Sequence, residues 1–278
     1  MIIIYPFWFP LVRVRVMINY QKRGKHRNLE YVCLAISALI MEFIDSFLGM
    51  MYGTVLSPLL IIMNYNAKDV VPSILISQAI GGFIASYRHH RFKNADFNSG
   101  TTDQRIAVTI IWFGVFASLI GVFVSVSISP KVLNTYIGLL VTVIGALILC
   151  GRSLILTNGK VYLLGFVSAF NKALSGGGFG PLVAGGQLVF RDRSEKGAIG
   201  STDFAEAPIC LFSFLLWAFF KGLPPAALYL PLCVGSAIGG FFGPEYLSKI
   251  KSPEKLKKSL GALVLLEGVW ILYKVWVK

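Results

Sequence analysis

Polar and apolar positions along this chain segregate into blocks. Apolar runs fill 31–48, 106–128, 132–150, 209–220, 226–242 and 259–273, separated by short basic stretches or by stretches bearing glycine and proline. A helix needs about 20 apolar residues to cross roughly 30 Å of hydrocarbon, and runs of that order recur here. The pattern predicts an all-α, polytopic membrane protein, placed as a multi-pass chain in the cell membrane.

The blocks also repeat. An offset of 123 residues lays "FIDSFLGMMYGTVLSPL" (43–59) on "FVSAFNKALSGGGFGPL" (166–182), with two Phe, a Gly, a Pro and a Leu coinciding. The same offset lays "PKVLNTYIGLLVTVIGALIL" (130–149) on "PEKLKKSLGALVLLEGVWIL" (253–272), with eight identities in twenty. Between them, "KDVVPSILISQA" (68–79) matches "KGAIGSTDFAEA" (196–207) after a five-residue insertion near Arg191–Glu195. Self-similarity at a fixed offset marks a duplicated architecture. The expected organisation is a basic interfacial N-terminal segment over 1–30, a first transmembrane repeat over 31–150 and a second over 161–276. The repeats divide into segments A (31–63), B (68–88), C (105–128) and D (131–150), with A′ (161–190), B′ (197–220), C′ (224–247) and D′ (257–276).

Charge then gives the copies a direction. Loop B–C carries Arg88, Arg91, Lys93 and Arg105, whereas its counterpart has only Lys221. Loop C–D has only Lys131, whereas its counterpart carries Lys249, Lys251, Lys255, Lys257 and Lys258. Because positive loops stay in the cytoplasm, equivalent loops are expected on opposite faces, which makes the repeats inverted. Inversion needs an odd number of crossings per copy. Segments B, C and D supply three, so A and A′ must each be a hairpin, broken at Gly49, Gly53 and Pro58 and at Gly176–Gly178 and Pro181. One count runs the other way: this topology puts the basic tail from Arg13 to Arg27 on the outer face.

Composition agrees with a membrane protein and removes other classes. Hydrophobic residues make up 55% of the 278, mean hydropathy is +0.70, and only 14% are charged. A soluble domain carries about 25% charged residues. The net charge of +13 lies in short loops without aromatic interleaving, so nucleic acid is not an expected partner. Cys33, Cys150, Cys210 and Cys233 sit in apolar segments without CxxC spacing and read as packed thiols. "SGGGFGPL" lacks the GK[ST] ending of a nucleotide loop. His89 and His90, beside Arg88 and Arg91, read as part of a solvated basic loop. No metal and no cofactor are expected.

The chemistry concentrates in "NKALSGGGFGPLVAGG" (171–186). Non-helical backbone is tolerated at membrane depth only inside protein or against a cavity. A glycine triplet frees N–H groups, and Pro181 suits the first turn of a new half-helix whose opening amides have no internal partner. Those donors and the positive end of the helix dipole favour an anion. Two inverted copies would aim two such ends at one central site. The plainer alternative is that the glycines let helices pack closely, as Gly235 and Gly239 are expected to do in C′.

Candidate substrate-binding residues are Gly53, Thr54, Ser57, Gln78, Lys172, Ser175, Gly176, Gly177, Gly178 and Glu206. Lys172 lies in an apolar run, where charge is expensive. It has three readings: partner of a bound anion, partner of an acid from B′, or a side chain snorkelling to the interface. Asp203 and Glu206 share one face of B′, and Glu206 is the positional equivalent of Gln78. Asp45, Asp203 and Glu206 are the coupling candidates, Asp203 having the alternative of complementing the B′ N-terminus. Glu42 repeats the spacing with Asp45, and Glu267 stands alone in D′.

The broken, glycine- and proline-bearing hairpin in each half and the duplicated four-segment unit resemble the TauE/SafE sulfite-exporter family over nearly all of 31–276. "SGGGFGPL" is close to that family's glycine-rich pattern. "YGTVLSPL" keeps Gly53 and Pro58 but has Thr54 and Val55 where glycines are usual. The resemblance implies export of small sulfur-containing anions, such as sulfite or organosulfonates, with proton coupling. The residues themselves reach a small anion, a central site and two inverted halves. The leading expectation is thus a secondary transporter that is not an enzyme. A passive anion channel is the first alternative, and a membrane-embedded enzyme using the paired intramembrane acids the second. Expected partners are a small anionic substrate and the lipid bilayer, with a homodimer as a candidate assembly.

Overall fold

The computed structural model describes residues 9–150, 160–187, 194–249 and 254–277. Residues 191–193 of the insertion and the first eight residues lie outside them. Among the described residues the chain forms ten helices and no strands: α1 (Phe9–Leu48), α2 (Tyr52–Ile62), α3 (Ala67–Arg91), α4 (Thr102–Ser127), α5 (Pro130–Cys150), α6 (Lys160–Ser175), α7 (Phe179–Gln187), α8 (Glu195–Lys221), α9 (Ala226–Lys249) and α10 (Glu254–Trp276). Five described stretches are long and apolar enough to span a bilayer: 28–48, 67–91, 102–127, 195–221 and 226–249. This is a multi-pass, all-helical membrane protein.

Local chemistry sets the helix starts. Asn66, Thr101 and Ser194 each accept a hydrogen bond from a first-turn amide, at 3.0, 3.3 and 3.0 Å. Such N-caps satisfy donors the helix cannot pair. Each is followed by an acid in the first turn, Asp69, Asp103 or Glu195, which complements the helix dipole. Segments A and A′ are indeed broken, into α1 with α2 and α6 with α7. The second break falls at Gly176–Gly178, and Pro181 is the third residue of α7, as the sequence suggests. The first break falls at one of its three expected positions, Gly49. It occupies Gly49 to Met51, with Gly49 at φ +74° and Met51 at φ +142°, whereas Gly53 and Pro58 lie inside α2.

The helices pack in a regular scheme. α1 lies on α9 and α4 on α6; α3 lies on α9 and α4 on α8; α3 meets α8 and α5 meets α10. Exchanging each helix for the one equated with it by the internal offset turns the first pairing into the second, the third into the fourth, and leaves the last two unchanged.

The contacts also give directions. Along α9, Gly235, Gly239 and Gly243 meet Ala38, Glu42 and Ser46 of α1 in ascending order, so these helices run parallel. The expected Gly235/Gly239 helix contact is this seam. In the counterpart, Gly114 meets Ala169 and Gly121 meets Ala173, again parallel. The self-matched pairs behave oppositely. Gly82 meets Ala207 while His89 meets Asp203, and Gly138 meets Leu272 while Gly145 meets Leu265, so both pairs are antiparallel. Lipid supplies no hydrophobic drive between helices, so close approach at small residues carries the cohesion.

Candidate functional site

The two helix breaks meet each other in the protein interior. Gly53 faces the Gly176 carbonyl so closely that a Cβ there would fall on its oxygen and lie 2.8 Å from Lys172 Nζ. Only glycine permits this approach. Gly180 abuts Gly49 and Met50, and Gly177 abuts Gly53 and Thr54. Gly53 and Gly176 are equivalent under the internal offset, so the contact joins matching points of the two halves.

The free amides that the glycines create have partners inside the protein. Gly176 N–H bonds the Lys172 carbonyl at 2.8 Å and Gly177 N–H bonds Ser175 Oγ at 3.2 Å. Gly178 N–H reaches across to Thr54 Oγ1 at 3.2 Å, and Ser57 Oγ donates to the Ser175 carbonyl at 2.9 Å. The Tyr52 amide, at the opening of α2, donates to Asp45 Oδ1 at 2.9 Å. Each break thus satisfies its own donors and ties itself to the other half.

A chain of charged and polar side chains lies beside the breaks. Lys172 Nζ forms an ion pair with Glu206 Oε1 at 2.8 Å and also donates to Gln78 Oε1. Gln78 Nε2 in turn donates to Asp45 Oδ2 at 3.0 Å. Lys172, Glu206, Gln78 and Asp45 are each at most 4% exposed. Of the three readings of Lys172, the structure has the one in which an acid of α8 is its partner. The expected binding residues Gly53, Thr54, Ser57, Gln78, Lys172, Ser175, Gly176, Gly177, Gly178 and Glu206 therefore lie together, with Asp45 beside them.

Asp203 sits one turn from Glu206 and pairs with His89, whose Nε2 lies 3.1 Å from Asp203 Oδ2. This corrects the reading of His89 as part of a solvated loop. Its ring is fully buried between α3 and α8, whereas its neighbour His90 is the exposed one, stacked on Phe97. Neighbours on a helix point about 100° apart, so one His of a pair can face the core while the other faces water. Sequence reading also missed Asn94, which bonds both His89 and the Pro244 carbonyl, and Tyr52, whose hydroxyl donates to Ser77 Oγ at 2.7 Å. No spacing rule links these positions in the chain.

The side chains of this centre are buried. Neither described cavity reaches it. One, of about 340 Å³, lies among Ile61, Asn64, Lys131 and Lys274; the other, of about 290 Å³, is an apolar groove among Leu29, Leu34, Leu56 and Met63. Among the described residues no cluster of His, Cys, Asp and Glu is arranged to hold a metal ion.

The sequence profile described as "Sulfite exporter TauE/SafE" matches residues 34–271. A curated relative, a "Probable membrane transporter protein YtnM" of Bacillus subtilis (strain 168), is 21% identical over 191 residues. That alignment covers 65% of this chain and 61% of the relative, so the chain spans under two thirds of the relative's length. No solved structure matches.

Proposed function

Since the chain belongs to the TauE/SafE sulfite exporter family, a family of membrane transporters, we propose that it is a secondary transporter exporting small sulfur-containing anions, such as sulfite or organosulfonates, across the cell membrane. In this reading it is built from two inverted repeats, 31–150 and 161–276. The antiparallel course of α3 against α8, and of α5 against α10, supports that arrangement. A two-fold axis along the membrane normal would leave matched helices parallel, whereas an axis in the membrane plane reverses them.

One observation carries the functional reading: a lysine and a glutamate are paired and buried where two broken helices meet. Charge in such a place is costly unless compensated, and in membrane proteins it marks substrate or ion pathways. In the closed state Glu206 supplies the negative partner of Lys172. In the loaded state the substrate anion takes that place, and parting of the breaks frees the amides of Gly176–Gly178 and the hydroxyls of Thr54, Ser57 and Ser175 to hold its oxygens. Gln78, bonded to Lys172 on one side and Asp45 on the other, keeps the lysine in reach of both partners. Four carboxyl groups, those of Glu42, Asp45, Asp203 and Glu206, are buried against one lysine. In this reading Asp45, Asp203 and Glu206 couple anion movement to a compensating cation. The buried centre favours a carrier over an open pore.

The test is flux into proteoliposomes of radiolabelled sulfite, taurine and sulfoacetate. Saturable uptake of at least one, lost in Lys172→Met, is the expected result. Failure with all three removes the sulfur assignment, and single-channel currents would replace the carrier by a channel.

A further inference from the structure

We propose that His89 and Asp203 form a proton relay joining the α3–α4 connection to the Lys172–Glu206 ion pair. This deepens the transporter reading and rests on it: it names the coupling ion and the side from which that ion enters.

The geometry fixes the state of the imidazole. Asn94, 5% exposed, stands in the connection that follows α3. Its Nδ2 donates to the Pro244 carbonyl at 2.8 Å and lies 3.2 Å from His89 Nδ1. A carbonyl only accepts, so it sets which way the Asn94 amide points, and Nδ1 must then be the unprotonated nitrogen. In this assignment the hydrogen of His89 is on Nε2 and points to Asp203 Oδ2, 3.1 Å away, and the backbone of Ser46 in α1 also lies against the ring. Asp203 Oδ1 is buried and has no hydrogen-bond partner. An unpaired carboxyl oxygen out of water is costly to keep and is itself a place for a proton to bind. Glu206 follows one helical turn later, and its own partner is Lys172 at 2.8 Å.

These groups form a path from the edge of the fold to its centre. Ala95 and Gly200 close over the His89 ring, a Cβ on Gly200 lying 3.3 Å from the imidazole. The charged and titratable groups that face Asp203 are His89 of α3, Glu42 and Asp45 of α1, and Glu206 of its own helix. On α9, the neutral Pro244 carbonyl faces Asn94, and Glu245 is paired with Arg88 at 3.1 Å. Lys172 of α6 is taken by Glu206.

The transfer balances. One proton from the α3–α4 side adds to His89 Nδ1, displacing the Asn94 contact, as the Nε2 proton passes to Asp203. The ring ends neutral, in its other tautomer, and a ring flip restores it. Asp203 passes the proton to Glu206, whose neutral carboxyl releases the Lys172 ammonium to a substrate anion. Proton and anion then share one cycle. Asn94 acts through His89 and is a positioning residue.

Two measurements decide the matter. The chain has three histidines, His26, His89 and His90, so nitrogen-15 histidine NMR of the wild-type protein resolves few imidazoles. The resonance missing from His89→Gln should show the neutral Nε2–H tautomer. An Nδ1–H tautomer there overturns the relay, and the wild-type spectrum decides this by its tautomer pattern even if the variant fails to fold.

In proteoliposomes holding a lumenal pH dye, net flux of sulfite, taurine or sulfoacetate should carry protons with it. His89→Gln should lower that proton movement about tenfold or more, while anion exchange at equal concentrations stays within about twofold of wild type. Equal loss of exchange and net flux would make His89 a mere tether between α3 and α8 and would overturn the relay. So would unchanged proton movement in the variant. If the wild-type chain carries none of the three anions, the transporter reading falls and the relay with it. If it carries one without protons, the relay alone falls.

Discussion

Lys172 is the residue on which the closed state turns. It is 1% exposed, one oxygen of Glu206 lies 2.8 Å away, and it also donates to Gln78. Removing one partner of a buried pair leaves the other charge uncompensated, at a cost of about 3–5 kcal/mol, whereas replacing both is far better tolerated. Lys172→Met should accordingly lower the thermal unfolding midpoint in detergent, and adding Glu206→Gln to it should recover most of the loss. Neither protein should transport. A double variant as unstable as the single one would mean that the ion pair is not what holds these side chains in place. Thermal unfolding and flux measured on the same preparations check both halves of this prediction.

At the scale of elements, the breaks between α1 and α2 and between α6 and α7 act as one joint. Each is pinned to the other half by Gly178–Thr54 and Ser57–Ser175 hydrogen bonds and by the Gly53–Gly176 approach. A methyl group on Gly53 has nowhere to go, because the obstacle is backbone rather than a movable side chain. Gly53→Ala should destabilise by about 1–3 kcal/mol through overpacking and push the breaks apart, which flux and unfolding measurements would register together. Gly81→Ala provides the comparison: its Cβ would meet Ser236 and Glu42 side chains, which can rotate away, so a smaller loss is expected. Equal losses would argue against a special role for the joint.

For the whole molecule, the decisive property is the relation between halves. Under the proposed inversion, the 92–101 connection and its counterpart at 222–225 lie on opposite faces. Single cysteines introduced at Asn98 and at Leu223 of a cysteine-free chain should label with a membrane-impermeant maleimide from opposite sides of oriented vesicles. Labelling from the same side would end the inverted reading. The proposed carrier also requires the halves to move against each other for alternating access. Gly82 and Ala207 face each other across α3 and α8, with a Cβ on Gly82 only 3.1 Å from that of Ala207. Cysteines at these two positions should form a disulfide once the helices part by about half an ångström to the usual Cβ separation, and it should stop transport until it is reduced.

Much of this was legible in the chain itself. Apolar runs of membrane length, the 123-residue duplication and the glycine triplet settle that the protein is helical, membrane-spanning and internally repeated in sequence, because a continuous apolar run of about 20 residues bonds its own backbone in lipid as a helix and duplication leaves identities at one offset. Lys172, Glu206 and Gln78 stood out because charge and amide groups are rare in apolar runs. What the chain could not reveal is which of these groups touch. Lys172 and Gln78 are 94 positions apart, Thr54 and Gly178 are 124 apart, and His89 and Asp203 are 114 apart. His89 looked like one half of a basic pair because adjacency in sequence hides the turn between side chains on a helix. Of the three positions expected to break segment A, Gly49 does so, whereas Gly53 and Pro58 sit inside α2, where Gly53 meets the Gly176 carbonyl. Local pattern fixes where helices are; only packing decides which faces of them meet, and at this site the meeting of faces is the chemistry.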